Sequence, residues 1–223
     1  MLLSAQAYDW NSVTIKANGF IDGIVYNPAA PDTVYIHTDM GGAYRWDQTD
    51  SKWMPMNDWS QWNDWSPQNL GVETLAVDPT DANRVYMAAG TYMSPTAIMR
   101  STDGGRTWLR TDVSGINSNG NGSARNAGER MNVDPNSPNI LYYGTRDDGL
   151  WKSTDYGASW ARVTAFPSIG DDSGFSANTG IVWTLFDKSS STPGTATQTI
   201  YAGVVEVGAG DTRIYRTTNG GST

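Results

Sequence analysis

The nine residues "RSTDGGRTW", Arg100 to Trp108, return as "KSTDYGASW" from Lys152 to Trp160 and again from Arg216 as "RTTNGGST". The second copy keeps Ser, Thr, Asp, Gly and Trp at the same offsets, and the third reaches Thr223 where the Trp would follow. A chain laid out this way is expected to be part of a longer array. Aligned outward from the motif, the sequence falls into four units with a period of roughly 50 to 65 residues, the range of solenoid and propeller repeats. In each unit a first strand leads through a turn, Asn-Pro or Asp-Pro in the first three, into a second strand opening on "VY", "LY" or "IY". A loop, a third strand, the motif turn and a final strand complete the unit. Short β-branched and aromatic runs punctuated by Asn-Pro, Asp-Pro and Gly-Gly are strand and turn signals, and no helical period is sustained. Four strands per unit repeated radially predict an all-β fold, a β-propeller. Its blades fall near 20–56, 72–112, 129–165 and 181–223, within a domain spanning 8–223.

The motif reads as part of the frame. Asp103 and Asp155 can accept hydrogen bonds from the amides of their own turns, Gly105 and Gly157 can supply a positive φ, and Trp108 and Trp160 can bury an indole between strands. This pattern, the Asp box, specifies a hairpin and calls for no catalytic step.

Charge and composition narrow the partners. With 15 Lys and Arg against 23 Asp and Glu the net charge is -8, and no basic block offers the phosphate-neutralising footprint of a nucleic-acid binder. No apolar run is long enough to span a bilayer. The chain has no Cys, so a disulfide framework, a thiolate metal site and a Cys nucleophile are excluded, and no other metal-ligand cluster or nucleotide loop is visible. Neither a cofactor nor a metal is expected. Residues 1–7 read as the remnant of a signal peptide, a clipped apolar segment ending in Ala5-Gln6-Ala7, and Asn121-Gly122-Ser123 is a glycosylation sequon, so an extracellular protein is expected. The 10 Trp and 11 Tyr suit either a layered β core or the flat faces of sugar rings.

In a propeller blade the turns between strands one and two and between three and four share one face, and the other connections share the opposite face. The short turns and the boxes map to the first. The long segments, among them "MPMNDWSQWNDWSPQNLG" and "TDVSGINSNGNGSARNAGE", map to the second, where binding sites are usually built. Trp59, Trp62 and Trp65, with Tyr92 in the corresponding loop of unit two, are candidates for stacking on sugar rings or for anchoring their loops. Asp39 stands on the same face. Aligning "AYRWDQTDSKW" with "IMRSTDGGRTW" makes Asp47 to Trp53 the degenerate box of unit one, so Asp39 lies before it, at the end of strand two. Its counterparts are Gly90 and Arg146. On spacing alone Asp39 reads as an Asx turn closing the loop, with a site carboxylate as the other reading. Asp58, Asp64, Asp147 and Asp148 read as solvated turn carboxylates, Glu129 and Arg130 as a buried pair, and His37, the only His, as structure.

"GFIDGIVYNPAAPDTVYIHTDMGGAYRWD", "NDWSQWNDWSPQNLGVETLAVDP", "NRVYMAAGTY" and "GERMNVDPNSPNILYYGTRDDGLWKSTDYGASW" together resemble the N-terminal part of glycoside hydrolase family 74, the xyloglucanases and xyloglucan-specific cellobiohydrolases. The likeness runs from about Tyr8 to Thr223. It implies about four blades of a seven-bladed propeller, truncated, that clasps a β-1,4-glucan against a second propeller and hydrolyses it with inversion. The resemblance makes Asp39, in "TDMGG", the general base, places the acid on the second propeller, and makes xyloglucan the partner. The chain departs from the family at "ANGF", Met40 and "SARNAGER". The competing readings are a non-catalytic Asp-box binding module, such as a sortilin-like receptor or an assembly factor, and a sialidase, which needs an Arg cluster and a Tyr nucleophile; no F/Y-R-I-P stretch precedes the first box.

Overall fold

The computed structural model describes residues 12–15, 19–57, 70–91, 94–123, 125–168, 179–205 and 212–222. These form antiparallel β-meanders, one per repeat, each a propeller blade. The first blade holds β1 (Ile21–Asn27), β2 (Ala30–Thr38), β3 (Ala43–Asp47) and β4 (Lys52–Pro55). The second holds β5 (Val72–Val77), β6 (Val85–Ala89), β7 (Ser94–Ser101) and β8 (Leu109–Ser118). The third holds β9 (Met131–Val133), β10 (Leu141–Gly144), β11 (Leu150–Ser153) and β12 (Ala161–Arg162). In the fourth, β13 (Gly180–Phe186), β14 (Ile200–Val205) and β15 (Thr212–Thr217) make the described sheet. Strand order in every sheet follows the chain. Strand β8 runs on to Ser118, so part of the segment read as a long loop after residue 112 pairs with β7 across a register shift.

In each blade the same turn follows the first strand. Asn27, Asp78, Asp134 and Asp187 each accept the amide two residues on, from Ala29, Thr80, Asn136 and Ser189, at 2.8 to 3.0 Å. Asn and Asp supply the acceptor, and the following Pro of the first three blades presets φ for the turn.

The inner strands explain why their sequences run continuously apolar. In β6, Val85 and Met87 face the first blade while Tyr86 and Ala88 face the third, so both sides of the strand are covered. Three cores result, one in each gap between consecutive blades. The first gathers Tyr35, Met56, Leu75, Met99 and Trp108, the second Ile98, Met131 and Leu141, the third Leu150, Ile181 and Val204. In the third gap a cavity of about 240 Å³ is lined by Tyr142, Leu150, Val163, Ile200 and Tyr215, the counterparts of residues that surround Trp108 in the first.

The boxes lock these gaps. Ser101 Oγ donates to Asp103 Oδ1 at 2.8 Å and accepts from the Gly105 amide at 2.8 Å, and Ser153, Asp155 and Gly157 repeat the arrangement. Gly105 and Gly157 have φ of 85° and 78°. The second-strand tyrosine of each of the first three blades reaches the next blade's box: Tyr35 Oη lies 3.5 Å from Gly104 O, Tyr86 packs beside Gly157, and Tyr142 Oη donates to Gly220 O at 2.9 Å. The motif is therefore a device between blades as well as within one. In unit one Asp47 accepts the amides of Thr49 and Asp50, a shorter version of the turn.

Candidate active site

Strand β2 ends in the turn Thr38-Asp39-Met40-Gly41-Gly42. Thr38 closes it: its Oγ1 accepts from the Gly41 amide at 2.7 Å and donates to Gly42 O at 2.9 Å. Thr145 does the same in blade three, accepting from the Asp148 amide and donating to Gly149 O. The turn thus needs no Asx closure by Asp39, contrary to the reading from spacing alone. Asp39 and Arg146 occupy equivalent positions in two copies of one turn.

Asp39 is 5% exposed and is held from outside its own loop. Its amide donates to Phe20 O at 3.1 Å, and its Oδ1 accepts from the Phe20 amide at 2.7 Å. Arg125, from the connection between blades two and three, brings Nε to 3.3 Å of Oδ2. Two glycines leave room for this packing. A Cβ on Gly19 would fall 2.8 Å from Asp39 Oδ1, and one on Gly71 would fall 2.7 Å from Asp39 O. The Gly42 amide donates to Leu70 O at 2.9 Å, which ties the turn to the segment entering blade two. Met40 projects outward, 43% exposed, with its sulfur 3.5 Å from the side-chain nitrogen of Asn121, the sequon residue. The β2–β3 turn of blade one and the β8–β9 connection therefore meet on the face assigned to the long loops.

Directly behind the turn lies a buried ionic cluster. His37 Nδ1 is 3.0 Å from Asp22 Oδ1 and 2.9 Å from Val72 O, and Nε2 is 2.9 Å from Glu129 Oε1. Glu129 Oε2 accepts from Thr74 Oγ1 and the Leu75 amide, each at 2.8 Å. Burial alone would lower the imidazole pKa, but the flanking carboxylates of Glu129 and Asp22 outweigh it and raise His37 to about 10. Burial holds Asp22 above the usual carboxylate range, against the pull of His37. Glu129 is pushed up by burial and brought below its ordinary value by His37. Blade two supplies a second cluster: Glu73 binds Arg146 Nε through Oε1, which also lies 3.4 Å from Arg130 Nε, and Tyr143 Oη donates to Oε2 at 2.9 Å. Arg146 further donates to Ser123 O and Asn119 O. Burial works against ionisation of Glu73, and the two guanidiniums more than compensate, so its pKa is lowered.

These clusters correct one sequence expectation. Glu129 and Arg130 do not pair: Glu129 turns to His37 and Arg130 to Glu73. Neighbouring residues of an extended chain point to opposite sides, so adjacency in sequence disfavours the pair. Asp148 lies 3.6 Å from the exposed Arg162, the surface arrangement expected of a turn carboxylate. Trp59, Trp62, Trp65 and Tyr92, with Asp58 and Asp64, lie outside the described residues. Sequence reasoning missed Asp22, Glu73 and Arg125. The signal for the first two was a carboxylate at one place at the entry to the first strand of three units, "IDG", "VET" and "GER"; Asp22 and Glu73 fall in register shifts of their strands and Glu129 just before β9.

What the arrangement can do chemically follows from its contents. A nearly buried carboxylate, fixed at one oxygen and facing a cation at the other, can hold and receive a proton at a set place. Among the described residues no group of three His, Asp or Glu could hold a metal ion.

No family model matches the chain. It is 46% identical over 229 residues to a xyloglucanase of Acetivibrio thermocellus, covering 97% of this chain and 26% of that protein. It is 45% identical to a xyloglucanase of a Paenibacillus species, covering 98% of this chain and 22% of that one. Among solved structures, a GH74 xyloglucanase from Xanthomonas campestris superposes with a TM-score of 0.83 at 38% identity, covering 97% of this chain and 31% of its own. The chain thus spans about a quarter of the length of the curated relatives it matches.

Proposed function

The chain belongs to glycoside hydrolase family 74, and from that premise we propose that it supplies the base-bearing side of a site that hydrolyses the β-1,4-glucosidic bonds of xyloglucan with inversion. The observation that carries this reading is the Asp39 carboxylate: nearly buried, held at Oδ1 by the Phe20 amide, and set among the loop segments of one face. In the reaction water attacks the anomeric carbon, Asp39 takes the proton of that water, and the bond to the leaving oxygen breaks as a second carboxylic acid protonates it. Inversion places the two carboxyl groups about 6.5–9.5 Å apart on opposite sides of the sugar. A facing second propeller of the same protein is the proposed source of the acid. On sequence alone, Trp59, Trp62, Trp65 and Tyr92 are the proposed ring-stacking side chains that bring the scissile bond over Asp39. A polymeric substrate is met outside the cell, which agrees with the leader-like Ala5-Gln6-Ala7.

The test is Asp39→Asn in the intact enzyme, measured by reducing-sugar release from xyloglucan. The amide keeps the carboxylate's shape and cannot take the proton, so the rate should fall about 10²- to 10⁴-fold while xyloglucan binding persists. A rate within tenfold of the parent overturns the assignment.

A further inference from the structure

Resting on the reading of Asp39 as the base, we infer that Arg125 is its positioning residue, a cation that fixes the carboxylate without consuming the lone pair needed for catalysis. The two carboxylate oxygens are held by different means. Oδ1 receives a short, directional hydrogen bond from the Phe20 amide at 2.7 Å. Oδ2 lies 3.3 Å from Arg125 Nε, but no hydrogen bond satisfies that nitrogen, because its N–H is not aimed at the oxygen. The contact is an attraction between charges, and an aligned fork of two N–H bonds is absent from it. Such an attraction restrains the carboxylate's rotation about its Cβ bond while leaving an Oδ2 lone pair open towards a water.

Arg125 is itself fixed by groups that already serve the site. Its guanidinium carbon lies 5.3 Å from the centre of the Phe20 ring, and Nη1 donates to Gly122 O at 3.4 Å. Phe20 therefore acts at both ends: its backbone holds Oδ1, and its ring carries the cation facing Oδ2. Arg125 comes from the β8–β9 connection, whereas Asp39 belongs to blade one, so two separate parts of the chain set the base. The side chain of Arg125 remains 33% exposed, against 7% for Asp39, so solvent reaches the pair mainly over the guanidinium. A residue with this role changes the chemical step more than substrate capture, since it touches the base.

Three variants of the intact enzyme test the assignment: Arg125→Ala, Arg125→Lys and Asp39→Asn. Arg125→Ala should lower kcat about 10- to 100-fold with KM within about twofold, the pattern of a displaced catalytic group. Millimolar guanidinium chloride should restore its rate saturably, where sodium chloride and urea at the same concentration do not. Arg125→Lys should retain part of the loss, because an ammonium keeps the charge without the planar group that stacks on Phe20. A raised KM with unchanged kcat overturns the inference in favour of a substrate contact. A lowered Tm with no guanidinium rescue overturns it in favour of loop packing. Asp39→Asn separates the two claims: if it stays active the base itself is misassigned, whereas an inactive Asp39→Asn beside an unimpaired Arg125→Ala removes only the role of Arg125.

Discussion

Asp103 and Asp39 both sit at tight turns between strands, on opposite faces of the blades, and they differ in what is left of their acceptor capacity. Asp103 Oδ1 accepts from Ser101 Oγ and from the amides of Arg106 and Thr107 at 2.8 to 2.9 Å, and Oδ2 accepts from Thr107 Oγ1 at 2.6 Å. Every partner lies within four residues. Slight burial pushes this carboxyl up, and the Thr107, Ser101 and Arg106 donors outweigh it and bring the pKa down to about 2. Asp39 takes one amide, from a segment 19 residues away, and faces one unaligned cation. A carboxylate saturated by its own turn has little to offer a ligand. One held at a single oxygen by distant groups is costly to place and is free to act, which is why the frame and the site cannot use the same aspartate.

The largest effect expected from breaking this comparison is at Arg146, the counterpart of Asp39 in blade three. Arg146→Ala leaves Glu73 buried with its closest cation removed, and breaking a buried ion pair from one side costs about 3–5 kcal/mol. Asp39→Ala takes the partner from a partly exposed Arg125 and the acceptor from the Phe20 amide, and should cost about 1–2 kcal/mol, less than the loss of a fully buried pair. Denaturant unfolding of the two variants measures both. Similar losses would mean that the two copies of the turn are equally structural and that Asp39 is part of the frame.

His37 carries the frame to within two residues of Asp39. Its folded pKa of about 10 lies above the ordinary 6.5, so its ion pairs contribute fully below pH 6.5 and the contribution is lost as pH rises through 10. Unfolding free energy followed between pH 6 and 10 should fall in the parent, and in His37→Gln it should start lower and lose most of that slope. An unchanged slope would place the alkaline titration elsewhere. Asp103→Ala comes next, with a loss of about 1–2 kcal/mol by analogy with other side chains that cap backbone amides. The sign is opposite to that of His37: the Asp103 pKa is depressed from 3.8, so its contribution is full above 3.8 and disappears as pH falls through about 2. Its kcat on xyloglucan should not change, and a specific loss of kcat would give the box a part in the chemistry.

How much of this was legible in the sequence depends on the range of each contact. The boxes were legible because Asp103 and Asp155 find their donors within four residues, so the motif states its own geometry. The place of Asp39 was legible once "WDQTDSKW" had been aligned as the degenerate box. Its manner of support was not: the closing hydroxyl recurs only as Thr38 and Thr145, and the amide of Phe20 leaves no trace in the sequence. Contacts between His37 and Glu129, or between Glu73 and Arg146, join residues 92 and 73 positions apart. Only the assembly of the blades brings them together: Glu73 and Arg146 belong to neighbouring blades, His37 and Glu129 to the first and third. The second-strand tyrosine recurs in every unit, but its destination, the following blade's box, becomes visible only when the blades stack.

The smallest effect tests the boxes against each other. Tyr156 holds φ at 59°, in the left-handed region, where the equivalent positions carry Gly104 at 71° and Gly220 at 67°. Replacing it by Gly removes strain worth about 1–2 kcal/mol for a side chain in that region. Two losses oppose the gain. The unfolded chain gains freedom worth about 0.4–1 kcal/mol, and the guanidinium of Arg84, 3.9 Å from the centre of the Tyr156 ring, loses a contact worth about 0.5–1 kcal/mol at an exposed site. Tyr156→Gly should therefore sit within about 1 kcal/mol of the parent. A cycle with Arg84→Ala isolates the ring contact. Arg84 also pairs with Asp81 at 3.2 Å, a contribution that the cycle subtracts. With Arg84 already gone, Tyr156→Gly should be more favourable by the value of the ring contact. If the two substitutions are additive instead, the guanidinium contributes nothing, and the tyrosine is tolerated in the left-handed position only because the other hydrogen bonds of its box over-determine the turn.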